Sequence, residues 1–275
     1  MDRFCVMGNP IEHSRSPWIH ARFAALMGHN LHYDKRLVPL DGFMQAITAF
    51  RAEGGLGCNI TVPFKFEAAQ LARHLSPRAQ LAGASNFLHF RNDGIHADNT
   101  DGAGLVNDIQ NNAGVALAGC DVLLIGAGGA SAGVLGPLIA SQARRITVAN
   151  RTLDKAKALV ARHAALAQAH GVEIDSAELT TVQTPYDVVV NATASSLSGA
   201  GVPVSPSVLK PGALALDMMY GPAAAGFMDW ARAYRAIPRD GLGMLVEQAA
   251  EAFRLWRGVR PPSAQVLAEL RATLG

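Results

Sequence analysis

Short apolar runs alternate with amphipathic stretches along most of the chain, and this alternation predicts βαβ units. In the front part, Ser16 is expected to cap a helix that has Pro17 at its first position. Asp41 is expected to cap the next helix, and Pro63 to start a third. These units indicate a first α/β domain that ends near residue 102. Its apolar strands are predicted at residues 4–7, 32–38 and 58–62.

The pattern continues beyond residue 120 with a second series of strands and helices. A strand at 121–125 runs directly into glycines, and Thr152 is expected to cap a helix that ends near residue 170. Glycine and proline break any periodicity over 199–211, so this segment is predicted to be a loop. The series indicates a second α/β domain with parallel strands. Further strands are predicted at 146–149, 187–191 and 213–217, and further helices at 244–256 and from 263 onward.

Composition excludes several classes of protein. The 275 residues are enough for about two domains, and 49% apolar with 17% charged residues excludes disorder caused by a lack of core-forming side chains. A net charge of +2 gives no electrostatic reason to expect nucleic acid or an anionic membrane as a partner. Cys5, Cys58 and Cys120 lie far apart, so we expect no disulfide framework, no metal site and a cytoplasmic location.

Residues 122–143 carry no charge and could suggest a membrane span. Several glycines and Pro137 interrupt this stretch, whose compact apolar run is only VLLI. A strand, a glycine turn and a buried helix explain the stretch better than a span of about 20 apolar residues. The N-terminal residues have no long apolar core, so no signal peptide is expected.

The sequence VLLIGAGGASAG follows a predicted strand and opens a helix, which is typical of a dinucleotide-binding turn. Gly126 permits the tight turn, and Gly128 lets the backbone approach a pyrophosphate at the helix N-terminus. The third small position is Ser131, so the pattern is GxGxxS, and a glycine turn without a ligand is the alternative. The residues assigned to the turn are Gly126, Ala127, Gly128, Gly129 and Ala130.

The end of the following strand favours NADP over NAD as cofactor. An NAD enzyme usually places an acid there for the ribose 2′-hydroxyl, whereas this strand ends in Asn150, Arg151 and Thr152. The Arg151 guanidinium can meet an adenosine 2′-phosphate with charge-assisted hydrogen bonds. Thr152 can add a hydroxyl, and Lys155 lies one helical turn further on. The alternative for Arg151 is a solvated surface arginine.

Several separate motifs resemble the shikimate dehydrogenase family, from Gly8 to about Gly258. They are GNPIEHSRSP, NITVPFK, DNTDG, GAGGAS, NRT, NAT and DGLGMLVEQAAEAF, in the order of the family. The resemblance implies NADPH-dependent reduction of 3-dehydroshikimate to shikimate, a reaction of aromatic amino-acid biosynthesis. It also implies a small-molecule substrate and a monomer or homodimer.

The resemblance completes the predicted fold. We expect an N-terminal α/β substrate domain at residues 1–104, with C-terminal helices returning to it at 240–275. A Rossmann-type, doubly wound parallel-sheet NADP domain is expected at 105–239, with a cleft between the two domains.

The family pattern also assigns site residues. It implies substrate contacts for Ser14, Ser16, Thr61, Lys65, Asn86, Asp101 and Gln248, and cofactor contacts for Ala192, Thr193 and Gly241. Hydroxyl and amide groups suit a small polyol carboxylate, which needs several fixed hydrogen-bond partners. Each residue has a structural alternative: Ser16 as a helix cap, Asn86 and Asp101 as turn residues, and Gln248 as a solvent-facing helix residue.

Lys65 and Asp101 are the predicted catalytic pair. Hydride delivery to a ketone builds negative charge on oxygen, which requires a cation or proton donor beside it. We assign Lys65 as the charged donor in reduction, because a nearby carboxylate favours the charged form of a lysine. Asp101 is expected to orient Lys65 and to bind a substrate hydroxyl. Which of the two accepts the proton in oxidation is left open, and an exposed helix lysine is the alternative for Lys65.

Two residues depart from the family pattern. Phe87 follows Asn86 where the family usually has threonine, and Ala132 stands where many members have a basic residue. These changes leave two alternatives open. One is a quinate/shikimate dehydrogenase-like paralogue that uses NAD as cofactor, or that acts on quinate or another shikimate-like acid. The other is a catalytically inactive NADP-binding sensor.

Overall fold

The structure is a computed structural model of the chain and describes residues 1–193 and 201–274. These residues divide into two compact units. One unit comprises Met1–Gly104 and Leu245–Gly275, and the other comprises Leu105–Met244. Each unit contains its own sheet and its own buried apolar core.

The helices and strands alternate along both units. Up to residue 107 they are β1 (Asp2–Gly8), α1 (Ser16–Met27), β2 (Leu31–Leu37), α2 (Phe43–Ala52), β3 (Gly55–Ile60), α3 (Lys65–Leu71), β4 (His74–Leu75), α4 (Pro77–Ala82), β5 (Phe87–Arg91), β6 (Gly94–Asp98) and α5 (Asp101–Asn107). From residue 121 they are β7 (Asp121–Ile125), α6 (Gly129–Ala140), β8 (Arg145–Asn150), α7 (Leu153–His170), β9 (Glu173–Glu178), β10 (Tyr186–Asn191), β11 (Leu209–Asp217), α8 (Ala225–Ala233), β12 (Ile237–Arg239), α9 (Leu242–Arg257) and α10 (Ser263–Leu274).

The first unit is built on a mixed sheet with the strand order β2-β1-β3-β5-β6-β4. Strands β2, β1 and β3 are parallel, while β5 is antiparallel to both β3 and β6. The apolar side chains of α2 and of the turn before α3 bury themselves against β1 and β3. Ile47, Phe50 and Phe64 form a core with Met7 and Ile60. This packing fixes the strand ends that carry the polar motifs.

The β5–β6 hairpin was missed by the prediction of parallel βαβ units for this domain. Its two strands pair in register and are joined by Asn92 and Asp93 alone. Gly94 follows with a φ of 136°, a backbone conformation that glycine adopts without strain. The sequence Asn-Asp-Gly is a hairpin signal that could have revealed the turn.

Three predicted helix caps also differ from the structure, and one of them is Thr152, which stands at the N-cap position of α7 but makes no side-chain cap hydrogen bond. Helix α1 begins at Ser16 itself, so the Ser16 side chain does not cap the helix. Instead, the Ser16 amide donates to Ser14 Oγ at 3.3 Å. Helix α2 follows Gly42, and Asp41 makes no cap. The amide of Gly42 donates to Pro39 O at 2.9 Å, so a turn takes the place of the expected side-chain cap.

The second unit has a parallel sheet with the strand order β12-β11-β10-β7-β8-β9. From β7 the chain adds β8 and β9 on one side, and it then adds β10, β11 and β12 on the other. This is the Rossmann strand order, and it confirms the predicted doubly wound sheet. The central strands are buried on both faces, because successive residues point to opposite faces and Leu123 and Leu124 of β7, like Val189 and Val190 of β10, are all fully buried.

The uncharged stretch 122–143 is confirmed as a strand, a glycine turn and the buried helix α6. Within the described residues, no helix is long and apolar enough to cross a membrane. The loop predicted at 199–211 is wrong at its C-terminal end, because Leu209 to Pro211 already belong to β11, where Leu209 pairs with Tyr186 of β10. Residues 199 and 200 lie outside the described part of the chain.

Candidate active site and dinucleotide site

The carboxyl ends of β1 and β3 define a ligand-binding edge in the first unit. After β1 the chain adds β2 on one side and later returns to add β3 on the other, so the loops after β1 and β3 diverge. Open α/β sheets bind ligands in such a crevice. Because β5 is antiparallel to β3 and β6 is antiparallel to β5, the residues before β5 and after β6 reach the same edge. At this edge the amide of Ile60, the last residue of β3, donates to O of Asn86, the residue before β5, at 2.9 Å.

Lys65 and Asp101 meet at this edge as predicted. Lys65 is the first residue of α3, two residues after Pro63, where the helix start was expected. Asp101 opens α5, a position at which the helix dipole favours a carboxylate. Lys65 Nζ donates to Asp101 Oδ2 at 2.5 Å, and the two side chains are only 14% and 7% exposed. The alternative of an exposed helix lysine therefore does not apply.

Asn86 connects this pair to helix α9. Its Nδ2 lies 2.8 Å from Asp101 Oδ1, 2.9 Å from Thr100 Oγ1 and 3.2 Å from Gln248 Oε1. Its Oδ1 accepts from the Thr100 amide at 2.7 Å. Gln248 is buried and its Nε2 donates to Leu245 O, so it does not face solvent. The arrangement fixes an amide and a carboxylate beside the lysine.

Ser14, Ser16 and Thr61 lie on the loops after β1 and β3 at the same edge. Ser14 is half-buried and accepts from the Ser16 amide at the start of α1, while Ser16 is buried. A Cβ on Gly8 would stand 2.3 Å from Thr61 Cγ2, so glycine lets the two loops approach. The Thr61 amide donates to Met7 O at 2.9 Å. These three side chains share the edge with Lys65 and Asp101, without a hydrogen bond to either among the bonds described.

A layer of charged and polar residues that the sequence did not reveal holds the loop before α5. Asp98 Oδ1 accepts from the Asn99 amide at 2.7 Å, from Ser76 Oγ at 2.5 Å and from Arg78 Nε at 2.6 Å. Arg78 also donates to Glu251 Oε1 at 3.0 Å. Their sequence separations follow no motif, so spacing could not identify them. The polar run DNTDG was the available signal.

This layer reaches the Lys65–Asp101 pair through Asn99, whose Oδ1 accepts from the Asp101 amide at 3.1 Å. Its other end, Glu251, is strongly acidic. A hydrogen bond from Arg254 lowers the pKa of Glu251 to about 2, with a further contribution from Arg78, and burial opposes the change. Glu251 is therefore a fixed anion that anchors the arginines to α9.

The glycine turn of the second unit has the geometry that a pyrophosphate needs. Gly126 directly follows β7 with a φ of 110°, and a Cβ there would stand 3.1 Å from Thr193 Cγ2 and 3.3 Å from Ala192 O. Gly128 caps α6, and a Cβ added to it meets nothing within 4 Å. Open space therefore faces the free amides of a helix N-terminus, which fits a dinucleotide. Ala127, Gly129 and Ala130 complete the turn, and Ser131 packs beneath it.

The loops after β7 and β10 meet at the point where the strand order reverses. The Ala192 amide donates to Ile125 O at 2.8 Å, which brings the predicted NAT motif against the glycine turn. Gly241 is close-packed in the same unit. A Cβ on it would stand 2.2 Å from Met218 O, so its glycine has a packing role whether or not it contacts a cofactor.

The residues predicted to bind the 2′-phosphate follow β8. Asn150 is the last residue of the strand, and its Nδ2 donates to Thr152 O at 2.9 Å. Arg151 and Lys155 are exposed near the start of α7, and β8 itself ends in Asn150 and not in an acid. Both cations are therefore accessible to an anion.

The fold and these two sites define an α/β oxidoreductase with a Rossmann-type dinucleotide-binding unit. Three family models match the chain. The shikimate dehydrogenase substrate binding domain matches residues 6–88, shikimate / quinate 5-dehydrogenase matches 108–198, and the shikimate 5'-dehydrogenase C-terminal domain matches 241–271.

Individual relatives agree with these models. A shikimate dehydrogenase (NADP(+)) of Acidovorax sp. strain JS42 is 66% identical, with 99% of this chain and 97% of the relative covered. The crystal structure of shikimate 5-dehydrogenase from Thermus thermophilus with NADP(H) and shikimate is 29% identical, covers 100% of both chains and has a TM-score of 0.83. An enzyme from Pseudomonas putida is 41% identical, with 98% of both chains covered and a TM-score of 0.87. The chain belongs to the shikimate dehydrogenase family.

Proposed function

We propose that this chain catalyses the reversible, NADP-dependent reduction of 3-dehydroshikimate to shikimate. The observation that carries this function is the buried Lys65–Asp101 pair at the ligand-binding edge of the first unit. A ketone reductase needs a cation or proton donor beside the carbonyl oxygen, because negative charge develops there during hydride transfer. The glycine turn of the second unit supports the dinucleotide that such a reaction requires.

In this mechanism Lys65 stabilises the developing alkoxide and then gives it a proton. Bound NADPH supplies the hydride. Asp101 Oδ2 accepts from Lys65 Nζ, which orients the ammonium group, and Asp101 Oδ1 accepts from Asn86. Because both carboxylate oxygens are held, Asp101 presents remaining lone pairs in a fixed direction to a ring hydroxyl.

We assign the substrate carboxylate to Ser14 and Ser16. Both serines stand at the N-terminus of α1, a twelve-residue helix whose dipole favours an anion there. Thr61, Asn86 and Gln248 are assigned to the ring hydroxyls, since each offers a hydroxyl or amide at the same edge. Residues 1–104 and 240–275, which include the whole first unit, are accordingly proposed as the substrate domain.

Residues 105–239 are proposed as the NADP domain. The glycine turn from Gly126 to Ala130 is assigned to the pyrophosphate, and Ala192, Thr193 and Gly241 are assigned to other parts of the cofactor. The 2′-phosphate is assigned to Asn150, Arg151, Thr152 and Lys155, because two exposed cations stand there. A monomer or homodimer and a cytoplasmic location stay predictions.

The departure at Phe87 has a packing explanation. Its ring is buried and stacks on the Trp256 indole, with 4.8 Å between centroids and 29° between planes. Ala132 is likewise buried in α6. Neither substitution removes a member of the proposed catalytic site, so no observation favours the quinate or sensor alternatives.

A spectrophotometric assay of shikimate and quinate oxidation, each with NADP and with NAD, tests the function directly. We expect the highest kcat/KM with shikimate and NADP. Lys65→Ala is expected to lower kcat about 10²-fold or more, the range that general acid catalysis supplies, and to change the shikimate KM much less. Lys157→Ala, which removes a lysine that is 60% exposed, is the matched control. A Lys65→Ala enzyme with near wild-type kcat would remove Lys65 from the mechanism.

A further inference from the structure

Two histidines and an aspartate gather on the first unit, on strands β4 and β6 and the β5–β6 turn. His74 pairs with His96 in the β4–β6 register, and Asp93 lies in the turn that precedes β6. Nε2 of His96 lies 2.8 Å from one Asp93 carboxylate oxygen, and Nε2 of His74 lies 3.7 Å from the other. His74, Asp93 and His96 each offer one ligand atom, a ring nitrogen or a carboxylate oxygen, and these three atoms all lie within 4.8 Å of one another.

These distances suit a transition-metal ion. Zinc bonds of 2.0–2.2 Å in a tetrahedral site separate neighbouring ligand atoms by about 3.4 Å, which falls between the two observed separations. Imidazole and carboxylate ligands select zinc and similar ions over Mg²⁺ or Ca²⁺, which require several oxygen ligands. The donor set is therefore that of a three-ligand site with a fourth position left for water.

The backbone holds the histidines in place before any ion binds. The His74 and His96 rings stack with centroids 4.4 Å apart and an interplanar angle of 27°. Both rings also line a cavity of about 220 Å³.

We propose that His74, Asp93 and His96 bind one divalent transition-metal ion of the zinc class. The ion would tie the short strand β4 to the β5–β6 hairpin, and β4 runs directly into Ser76, whose hydroxyl donates to Asp98. The expectation of no metal site rested on cysteine spacing and could not find these ligands, because a hairpin and a strand pairing bring them together. The site is separate from the substrate and dinucleotide residues and does not depend on the proposed function.

The test titrates ZnCl₂ into the full chain, with any affinity tag removed, by isothermal calorimetry in a non-chelating buffer. We expect saturable binding of one equivalent, a rise in the midpoint of thermal unfolding, and no response to MgCl₂. His74→Gln, Asp93→Asn and His96→Gln are each expected to weaken zinc binding about 10-fold or more. CoCl₂ should give the visible absorption of a tetrahedral site in the wild type.

His32→Gln is the matched control. His32 Nε2 lies 2.8 Å from Asp34 Oδ1, the same separation as in the His96–Asp93 pair, but the described residues supply no third ligand there. This variant should bind zinc like the wild type. Circular dichroism shows whether each variant is folded, and the three ligand residues are exposed enough to tolerate replacement. A wild type that binds no zinc, or Asp93→Asn and His74→Gln variants that bind as tightly as the wild type, would overturn the proposal.

Discussion

At the scale of single residues, burial separates the proposed catalytic pair, Lys65 and Asp101, from ordinary surface charges. Removing an ion pair from water costs free energy that its attraction only partly offsets, so a buried pair is weak evidence for stability. The Lys65–Asp101 pair is nevertheless only 14% and 7% exposed, and Asp101 also accepts from Asn86, whereas Lys157 and Asp154 form an exposed pair at 3.9 Å. This contrast supports a chemical role for the first pair and none for the second.

Arg151 provides a test of cofactor choice at the same scale. Arg151→Ala is expected to raise the KM for NADP about 10- to 100-fold, because a hydrogen bond between charged groups contributes about 1.5–3 kcal/mol. The KM for NAD, which lacks the 2′-phosphate, should change little. Steady-state kinetics with each cofactor at saturating shikimate measures both values. Arg232→Ala, at another exposed arginine of this unit, is the control. Equal increases for NADP and NAD would contradict the assignment.

Residue chemistry could be predicted where a motif is local and not where partners are distant. The glycine turn and the strand end at Asn150 are contiguous segments, and the structure places both at the carboxyl edge of the sheet. The bond between Asn86 and Gln248 joins residues 162 positions apart. No spacing rule identifies such a pair, and the family resemblance pointed to each residue only as a substrate contact.

At the scale of secondary-structure elements, helix α9 supports two layers of the candidate site. Gln248 and Glu251 are three residues apart and therefore lie on the same helix face. Gln248 accepts hydrogen bonds from Asn86 and Thr100. Glu251 accepts one from Arg78, which also donates to Asp98. The periodicity of apolar residues predicted this helix over 244–256, close to its observed bounds. Periodicity could not show that its polar face is buried, because that depends on the elements packed against it.

Glu251→Gln tests the charged layer through the pH dependence of stability. The folded-state pKa of about 2 lies below the ordinary value of 4.5, so the charge contributes stability above about pH 4.5 that is lost as the pH falls towards 2. The variant should be less stable than the wild type at pH 7 by about 1–2 kcal/mol. The loss is no larger because Arg254 and Arg260, which both form ion pairs with Glu251, are half-exposed, and water screens these pairs. Denaturant unfolding at pH 7, 5, 4 and 3 measures the difference.

The difference between wild type and Glu251→Gln should shrink below about pH 4.5. Glu67→Gln, at an exposed glutamate of α3, should stay close to the wild type throughout. A stability difference that is constant from pH 7 to 3 would show that Glu251 acts through packing and not through its charge.

At the scale of the whole molecule, the two proposed sites lie in two different units, each with its own sheet and core. The repeated strand–helix alternation was sufficient to predict the parallel strands of the second unit, and the family resemblance added their doubly wound order. It was insufficient for the mixed sheet of the first, where the hairpin reverses direction and so brings Asn86 and Asp101 to the edge that carries Lys65. The antiparallel strands that sequence analysis missed are thus the ones that assemble the candidate active site.

This division predicts that each ligand stabilises the protein through its own residues. A ligand at 100 times its Kd adds about 2.7 kcal/mol to the free energy of unfolding. Thermal unfolding with shikimate alone or NADP alone should therefore show a raised midpoint in each case. Ser14→Ala should reduce the shift from shikimate and leave the shift from NADP intact, while Arg151→Ala should do the reverse. Ser14 is half-buried and Arg151 is exposed, so both variants should fold. If either variant loses the midpoint shifts from both shikimate and NADP, the two residues cannot be assigned to separate ligands. That result would contradict the proposal that each unit binds its own ligand.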